Sequence, residues 1–439
     1  MKKTILVFFL ALLLINGTLP SKAANTSIDI IPPLPSTVIA KDSPENANAV
    51  DPRAYGAKAD GVTDDAVAIQ KAINSCAQKG GGIVVLKNGT FLSSPLVLKT
   101  GVYLKIEALT VLKAVPYADY PKNIKPQSKP AALVGAKNAS HFGVFGNGTI
   151  DGNGQDWWRT QGWQGEDLPK LKIPNTIKRP SLLDFSDCSD IIVKDVTLQN
   201  SPQLTLVPHN SDNVVISNVK IYNPANSHNT DGIDPSGNNV FIDGCTIDTG
   251  DDNIAIKGQR NGSTQNIYIT NSTFYHGHGL SIGSDFVEGV ENVYAKNITF
   301  ADTETGIRIK SVRGRGGLVN NANFSDITMK NVGRAIVIAG YYPKIPPAGE
   351  DVAQAIISGT PRYQNITISG ITATAVKEAG AIVGLPESPI QGVTLTNVMI
   401  NAPRGLTIRN AQVSTTQTTI NAANGPEYVA EENSVINSN

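Results

Sequence analysis

The chain has 439 residues, of which 37 are basic and 37 acidic, so its formal net charge is zero. Removal of the first 23 residues, which include Lys2, Lys3 and Lys22, leaves 34 basic and 37 acidic residues and a net charge of −3. A charge this small excludes a general attraction to nucleic acid or to another polyanion, so an anionic ligand would have to be recognised by local groups. A mature chain of this length is long for one globular core, and a solenoid, which grows along one axis, fits it better.

The N-terminal segment has the parts of a secretory signal peptide. A basic start precedes an apolar run from Ile5 to Ile15, and small residues lead up to a cleavage point near Ala23. The run is too short for a membrane anchor, and no later stretch approaches about twenty apolar residues. We predict a signal peptide at 1–23, a proline-containing linker or extended lead-in at 24–50 and one folded domain at 51–439. The protein is expected to be secreted, extracellular or periplasmic, with no membrane attachment after cleavage.

One amphipathic helix is predicted before the strands begin. Thr63 can cap its N-terminus, and the two acidic residues that follow suit the positive end of a helix dipole. Apolar residues at helical spacing come next, and three glycines at 80–82 end the segment. The apolar residues of this face are Ala66, Ile69, Ala72 and Ile73. A helix at this place would cover the open end of a solenoid core.

From about Phe142 onward a nine-residue unit recurs, with the form Asn/Asp-apolar-x-apolar-x-polar-apolar-x-apolar. This alternation is typical of strands with one buried face. The first apolar positions of eight copies are Ile191, Val214, Val240, Ile267, Val293, Ala322, Ile366 and Val393. Most steps between them are 23 to 29 residues long, and one step of 44 residues predicts a loop around 341–362. We therefore predict an all-β protein, a single-stranded right-handed parallel β-helix with the N-terminal helix as its cap.

Three cysteines, Cys76, Cys188 and Cys245, allow at most one disulfide, and their spacing indicates none. The repeat alignment places Cys245 level with the apolar positions Val196 and Val219. We expect the cysteines to be small buried residues.

Four polar segments interrupt the repeats between 229 and 310. They are Asn229-Thr230-Asp231-Gly232, Gly250-Asp251-Asp252-Asn253, Gly277-His278-Gly279 and Arg308-Ile309-Lys310. Their spacing matches the length of one coil, and residues one coil apart stack. Asp251 and His278 each come eleven residues after the first apolar position of their coil, so they should lie on adjacent coils, one above the other. Asp231 and Arg308 fall later in their coils, and the spacing alone does not place them.

Carboxylates that lie close together disfavour each other's ionisation, so at least one pKa in such a group is raised. Glycoside hydrolysis requires this combination, a neutral acid beside an ionised base. Asp251 and Asp252 would diverge in an extended strand, although a turn after Gly250 can bring them together. Each polar residue also has a structural explanation, as a turn residue or a solvated charge. Their joint occurrence on successive coils favours a site, but the pattern leaves open which carboxyl is the acid and which the base.

The four polar segments, in this order and at these spacings, resemble the polygalacturonase (pectinase) family of glycoside hydrolases, in its bacterial secreted type. The segments Gly152-Asn153-Gly154, Trp157-Trp158 and Arg179-Pro180 resemble features of the bacterial members. The region from Tyr55 to Asp65 resembles the N-terminal cap of many pectin-active β-helices. The resemblance runs from about Asp51 to the last repeats. It implies hydrolysis of the α-1,4-galacturonosyl linkages of demethylated pectin, with inversion and without a metal or other cofactor.

The resemblance also implies the roles of single residues near the reaction. Asp251 matches the general acid, and Asp231 and Asp252 match the pair of carboxylates that activates the water. His278 matches a histidine that tunes the protonation of the acid. Asn229 matches a residue close to the substrate.

Three further residues match substrate-binding positions of the family. Arg308 and Lys310 match the cations that hold a galacturonate carboxylate, which suits the charge-assisted contacts of an anionic sugar. Tyr342 matches a tyrosine at the cleft, with the neighbouring Tyr341 as the other possible alignment. The tryptophans at 157, 158 and 163 are expected to pack their loop rather than to stack on a sugar.

We predict a polygalacturonase that cuts within the polymer, with polygalacturonate or pectin as its partner, no nucleic acid partner and a monomeric state. The alternatives within hydrolysis are attack from the chain end, or a rhamnogalacturonan or xylogalacturonan substrate. A β-eliminating pectate lyase shares the fold, but it commonly uses calcium and an arginine base, and no such base stands in place of His278. A β-helix that binds glycans without cutting them is the remaining alternative.

Overall fold

The computed structural model describes residues 48–122, 128–169 and 177–438, which belong to one compact unit of the chain. The signal peptide predicted at 1–23 and most of the lead-in predicted at 24–50 lie outside the described residues. Pairing between strands begins at Ala49, inside that lead-in, because Ala49–Val50 pairs with Ile83 and Val84. Within the described ranges, no helix has the length and apolar character needed to cross a membrane.

Strands make up most of the described chain. Strands β1 to β10 are Ala49–Val50, Asp60–Asp64, Gly82–Leu86, Thr90–Ser93, Leu96–Val97, Val102–Ile106, Val111–Ala114, Val134–Lys137, Ser140–Phe145 and Thr149–Asp151. Strands β11 to β20 are Leu183–Ser186, Ser189–Lys194, Thr197–Gln199, Leu206–His209, Asp212–Ser217, Lys220–Tyr222, Asn238–Asp243, Thr246–Thr249, Ile254–Ile256 and Thr264–His276. Strands β21 to β30 are Leu280–Ser284, Val290–Ala301, Thr305–Ser311, Leu318–Ala339, Arg362–Val383, Ile390–Ala402, Leu406–Arg409, Ala411–Ala422, Tyr428–Ala430 and Ser434–Ser438. The helices are a 3-10 turn at Pro52–Tyr55, α1 at Ala66–Gln78 and α2 at Gln155–Arg159.

Each strand pairs in parallel with the equivalent strand of the coil before and after it. The eight positions aligned from the sequence form one continuous column of register partners, from Ile191 to Val393. Their side chains are buried. A coil that cannot bury its own apolar face is thus covered by its neighbours. The predicted right-handed parallel β-helix is confirmed.

The first residue of each nine-residue unit turns the chain. Asn213, Asn239 and Asn266 have φ angles of +55°, +60° and +59°, in the left-handed region that asparagine tolerates. Their side chains form a ladder along the solenoid: Asn239 Nδ2 donates to Asn213 Oδ1, and Asn266 Nδ2 donates to Asn239 Oδ1, both at 3.1 Å. The abundance of asparagine therefore reflects both the turn and the contact between coils.

Helix α1 covers the first coil, as the sequence predicts. Its inner face is buried and consists of Ala66, Ala68, Ile69, Ala72, Ile73 and Cys76. The chain leaves the helix through Gly80, whose φ is +86°. The open end of the core is thereby closed against water.

The predicted N-cap of α1 is wrong. Thr63 lies in β2, where its hydroxyl donates to Asp60 Oδ2 at 2.9 Å, and Asp65 occupies the N-cap position. The Asp65 carboxylate does not cap the helix; it accepts the N–H groups of Lys58 and Ala59 at 2.7 and 2.9 Å. The Asp65 carboxylate thus fixes the preceding turn, while Asp64 Oδ1 accepts the N–H of Ala66 at the start of the helix at 3.0 Å.

The cysteines and two of the tryptophans are packing residues. Cys76, Cys188 and Cys245 are buried and unbridged. Trp157 and Trp158 are also buried, and Trp158 Nε1 donates to the carbonyl of Ser201 at 2.8 Å. Both expectations are confirmed.

The long step of the repeat contains a loop, as predicted. Strand β24 ends at Ala339 and β25 begins at Arg362, while Ala322 still pairs with Ile366 of the next coil. Residues 340–361 therefore leave the solenoid and return to it without disturbing its register.

Candidate active site

The candidate site lies on one face of the β-helix and uses four of five successive coils. The column that defines this face consists of Leu206, Ile233, Ile254, Leu280 and Ile307. Residues at the same distance from the column also stack. Asp231, Asp252 and His278 come two residues before it, Arg308 one residue after it and Lys310 three residues after it. The register therefore gathers residues that the chain separates by up to about eighty positions.

Asp251 and His278 lie on adjacent coils in direct contact, as predicted, although in the register of this face His278 is level with Asp252, the next residue. Asp251 Oδ1 is 3.0 Å from His278 Nδ1, and the backbone N–H of His278 donates to the carbonyl of Asp251 at 2.9 Å. Asn229 Nδ2 donates to Asp251 Oδ2 at 3.3 Å. Gly277 and Gly279, both with positive φ, permit this approach, since a Cβ on Gly277 would lie 2.3 Å from the carbonyl of Asp251.

Asp252 is an ionised carboxylate inside the protein. It is only 2% exposed, and it accepts hydrogen bonds from Lys310 Nζ at 2.6 Å and Ser281 Oγ at 2.8 Å. Arg308 Nη1 lies 3.6 Å from its other side. Burial opposes the charge, but the charge of Lys310 outweighs it and holds the pKa of Asp252 below its ordinary value.

Asp231 is the carboxyl of the cluster that favours its neutral form. Burial, together with the charges of Asp234 and Asp251, raises the pKa of Asp231 well above its ordinary value. Asp234 is also buried, and burial raises its pKa to about 6 although Lys257 Nζ lies 3.5 Å away. The cluster thus combines neutral and ionised carboxyls, as acid–base catalysis requires.

His278 bridges two carboxylates. Its Nδ1 faces Asp251, and its Nε2 lies 3.1 Å from Glu304 Oε2. Burial opposes protonation of the ring, but Asp251, Asp252 and Glu304 outweigh it and raise the pKa of His278. Conversely, burial would raise the pKa of Asp251, but the hydrogen bond and charge of His278 hold it below its ordinary range. The pair therefore carries its proton on His278 in the free protein.

Tyr342 borders the cationic end of the site. The Lys310 Nζ and the Arg308 guanidinium lie 5.3 and 5.8 Å from the centre of its ring. Tyr341 points to another group, since its hydroxyl donates to Asp351. The geometry therefore favours Tyr342 over Tyr341 as the tyrosine of the cleft.

Atoms of Asp251, Asp252 and His278 lie within 4.8 Å of one another, close enough to contact one metal ion. The carboxylate of Asp252 is already neutralised by Lys310 at 2.6 Å, with Arg308 beside it. A second cation there would be repelled by both side chains. The positive charge of this site is therefore supplied by the chain itself.

Comparison with known proteins identifies the family. The model of glycosyl hydrolases family 28 matches residues 77–420. The chain belongs to this family. It is 36% identical over 369 residues to an endo-polygalacturonase of Pectobacterium carotovorum subsp. carotovorum, covering 79% of this chain and 86% of that protein.

Solved structures of family 28 enzymes share the fold. The polygalacturonase of Erwinia carotovora ssp. carotovora superposes with a TM-score of 0.64 at 29% identity, covering 84% of this chain and 94% of that one. A family 28 exopolygalacturonase of Yersinia enterocolitica gives a TM-score of 0.70 at 21% identity, covering 89% and 78%. The resemblance noted in the sequence is confirmed, and the protein is a glycoside hydrolase.

The structure adds three residues to the candidate site that the sequence analysis missed. Asp234 and Lys257 lie beside the carboxylates, and Glu304 contacts His278. A signal existed for Lys257, because it lies 17 residues after Val240, as Lys310 does after Val293. Asp234 and Glu304 carried no such signal, since an isolated acidic residue is common in solenoid turns.

The Arg179-Pro180 segment, one of the features that resemble the bacterial members, stabilises the site through hydrogen bonds of Arg179. Arg179 is buried, donates to the carbonyl of His228 at 2.6 Å and reaches Asn229 Oδ1 at 3.0 Å. It thereby orients the Asn229 amide toward Asp251. Its contribution is to position Asn229 rather than to face the cleft.

Proposed function

We propose that the protein is a secreted polygalacturonase that hydrolyses α-1,4-galacturonosyl linkages of demethylated pectin by internal cleavage. Its family membership and its similarity to an endo-polygalacturonase support this. One structural observation carries the proposal: Arg308 and Lys310 line a cavity of about 340 Å³, on the coil that follows His278 and its partner Asp251. A galacturonate carboxylate is a ligand that these two cations would bind.

In this mechanism Asp251 protonates the leaving oxygen. An anionic sugar that enters the site excludes water and adds negative charge, and both effects raise the pKa of Asp251. The proton then passes from His278 Nδ1 to Asp251 Oδ1, across 3.0 Å, and from Asp251 to the glycosidic oxygen. His278 thus serves as the source of the proton.

Asp252 and Asp231 activate the water in the same mechanism. Asp252 is kept ionised by Lys310, so it can accept a proton from water. One oxygen of Asp252 lies within 4.8 Å of one oxygen of Asp251, a separation nearer to the roughly 5–5.5 Å of retaining pairs than to the roughly 6.5–9.5 Å of inverting pairs. Inversion, which the family resemblance implies, requires Asp252 and Asp231 to hold the water on the face of the sugar opposite the leaving group.

Internal cleavage requires space for sugars on both sides of the scissile bond. A cavity of about 600 Å³ adjoins Asp234 and Lys257, and another of about 340 Å³ adjoins Arg308, Lys310 and Tyr342. Asp234 and Lys257 belong to the same coils as Asp231 and Asp252, so the first cavity lies beside the carboxylates, and the second lies toward the C-terminal coils. A polymer that fills both cavities is cut internally, as in the endo-acting relatives.

The remaining properties follow from the same proposal. The partner is polygalacturonate or pectin, and a monomer contains all the site residues named above. Secretion follows from the predicted signal peptide at 1–23. Action from the chain end and cleavage of rhamnogalacturonan or xylogalacturonan are the competing modes.

The deciding experiment compares wild type with Asp251→Asn on polygalacturonic acid in the presence of a chelator. Wild type is expected to release saturated oligomers of mixed length, and the variant to lose at least about 100-fold in kcat, because general acid catalysis contributes about 10²–10⁴-fold. Lys330→Gln, an exposed change on β24, is the control. Unsaturated products, or activity that the chelator abolishes, would establish a lyase instead; monomer alone would establish attack from the end.

Proton NMR of the same reaction tests inversion. The first product formed should carry the β configuration at its new reducing end. Initial formation of the α anomer would mean retention and a covalent intermediate, and would assign Asp252 as nucleophile.

In a second assignment of the roles, Asp231 instead of Asp251 is the general acid. The raised pKa of Asp231 favours it as the neutral carboxyl, whereas the lowered pKa of Asp251 does not. An oligogalacturonide with a nitrophenyl leaving group separates the two, because this group departs without protonation. Asp251→Asn should keep most of its activity on this substrate while Asp231→Asn does not; the reverse result would make Asp231 the acid.

A further inference from the structure

The loop at 340–361 is fastened by ion pairs to Arg313, which lies on the coil before it. Arg313 Nε and Nη2 bind the carboxylate of Glu387 at 2.6 and 2.9 Å. Arg313 Nη1 and Nη2 bind the carboxylate of Asp351, which belongs to the loop, at 3.3 and 2.9 Å. Glu387 is 5% exposed and the two partners about 20%, so these pairs are well shielded from water. Two-fold contacts of this kind fix geometry as well as adding energy.

A second cation holds the first half of the loop. Arg409, 5% exposed, donates from Nη2 to the carbonyl of Pro346 at 2.8 Å and lies 3.4 Å from Glu431. The hydroxyl of Tyr341 donates to Asp351. Tyr342 and the residues after it are therefore held at fixed positions beside the cleft.

The fastened loop forms one wall of the 340 Å³ cavity next to the reacting carboxylates. Its floor is Arg308 and Lys310 on one coil and Arg334 on the next. Arg334 is engaged by Glu378, and Lys310 by Asp252. The loop adds Lys344, an exposed cation with no ion-pair partner among the described residues.

We propose that Lys344 binds the carboxylate of a second uronate unit, one sugar beyond the unit held by Arg308 and Lys310. The cavity with Lys344 extends from Arg308 and Lys310 toward the C-terminal coils, which are spaced about 4.8 Å apart, so a polymer that fills it advances in that direction from the reacting carboxylates. The next carboxylate then meets the loop wall. This inference rests on the proposed function, because it takes the ligand to be a polyuronate.

The subsite adds specificity as well as affinity. A methyl ester removes the negative charge that Lys344 would bind, so an esterified unit at this position loses the contact. The carboxylates of Glu304 and Glu378 also line the cavity, and they would repel the carboxylate of a second uronate unit unless a cation lies nearby. Lys344 supplies that cation.

The test measures binding to the full-length protein in an Asp251→Asn background, where hydrolysis is blocked. Calorimetry gives the affinities of trigalacturonate and hexagalacturonate with and without Lys344→Gln. The ratio of hexamer to trimer affinity should fall about fivefold, the value for one partly exposed charge pair. Lys330→Gln, an exposed lysine outside the cavity, is the matched control and should leave the ratio unchanged.

Arg313→Gln provides an independent variant, because it releases the loop without altering a cavity residue. It should lower the same ratio in the same direction. A ratio unaffected by Lys344→Gln, or lowered equally by Lys330→Gln, would overturn the subsite. Wild-type turnover of polygalacturonate is measured in parallel: if it is absent while binding still depends on Lys344, the hydrolase proposal fails and the subsite stands.

Discussion

At the scale of single residues, contacts between charged groups decide which residues of the site carry a proton. Asp252 is fixed as an anion by Lys310 at 2.6 Å, whereas His278 is held between Asp251 and Glu304 at 3.0 and 3.1 Å. A buried carboxylate without its cation would be strongly destabilised, so Lys310 serves folding as well as binding. The contact with Lys310 keeps Asp252 in its anionic form, as a base, and the contacts with Asp251 and Glu304 keep His278 protonated, as a source of protons.

The His278 contacts predict the pH dependence of activity. Because the neighbouring carboxylates raise the pKa of His278, the ring stays protonated up to above about pH 6.5, and activity should fall only beyond that point. The lowered pKa of Asp252 places the acid limb below about pH 4. Glu304→Gln removes one negative charge, lowers the pKa of His278 and should move the alkaline limb to lower pH. The kcat–pH profile measures this shift.

Glu107→Gln, which changes an exposed carboxylate on the first coils, is the control for this experiment. An alkaline limb that stays in place in Glu304→Gln would show that Glu304 contributes only to substrate binding.

The stability of the fold depends on pH in the same direction as the activity. The raised pKa of His278 stabilises the fold below about pH 6.5, and this stabilisation is lost as pH rises through the folded-state pKa.

At the scale of elements, the asparagine ladder explains how strands of adjacent coils keep their register. Asn266 accepts from Asn292 at 3.2 Å and donates to Asn239 at 3.1 Å while its φ is +59°. A residue at this place must both adopt the left-handed region and bond in two directions. Glycine satisfies only the first condition, and alanine neither.

Asn266→Ala is therefore expected to cost about 2–3 kcal/mol, about 1 for each hydrogen bond and about 1 for the left-handed backbone. Asn266→Gly should cost about 1–2 kcal/mol, because it loses the bonds without the strain. Urea denaturation gives both values, and kcat should be unchanged since the ladder lies outside the site. Equal losses in the two variants would refute the strain contribution, and no loss in either would refute the ladder.

The N-terminal helix shows where local signals mislead. Its apolar face was predictable, because helical spacing depends only on neighbouring residues. The choice of Thr63 as its cap was wrong, because β2 extends through that residue to Asp64, and Asp65 starts the helix. The strand pairing that decides this comes from β4, which is distant in sequence.

At the scale of the whole molecule, the solenoid separates stability from function. Each coil pairs its strands with those of its neighbours, so the caps and the later coils contribute stability, while four central coils carry the reacting groups. The loop at 340–361 is the exception. It leaves the repeat near the site and is fastened by Arg313 and Arg409, which belong to two different coils.

The sequence by itself determined the fold, the register of the repeat and the family, because a parallel β-helix translates a linear period into stacking. It also determined that Asp251 meets His278, since their phases are equal. Only the tertiary structure decided that Glu304 and Asp234 join the site and that Tyr342, rather than Tyr341, lies against Arg308 and Lys310. It also decided that Arg313 forms ion pairs with Glu387 and Asp351. These contacts depend on turns and on one long loop, and the chain in these segments does not follow the period of the repeat.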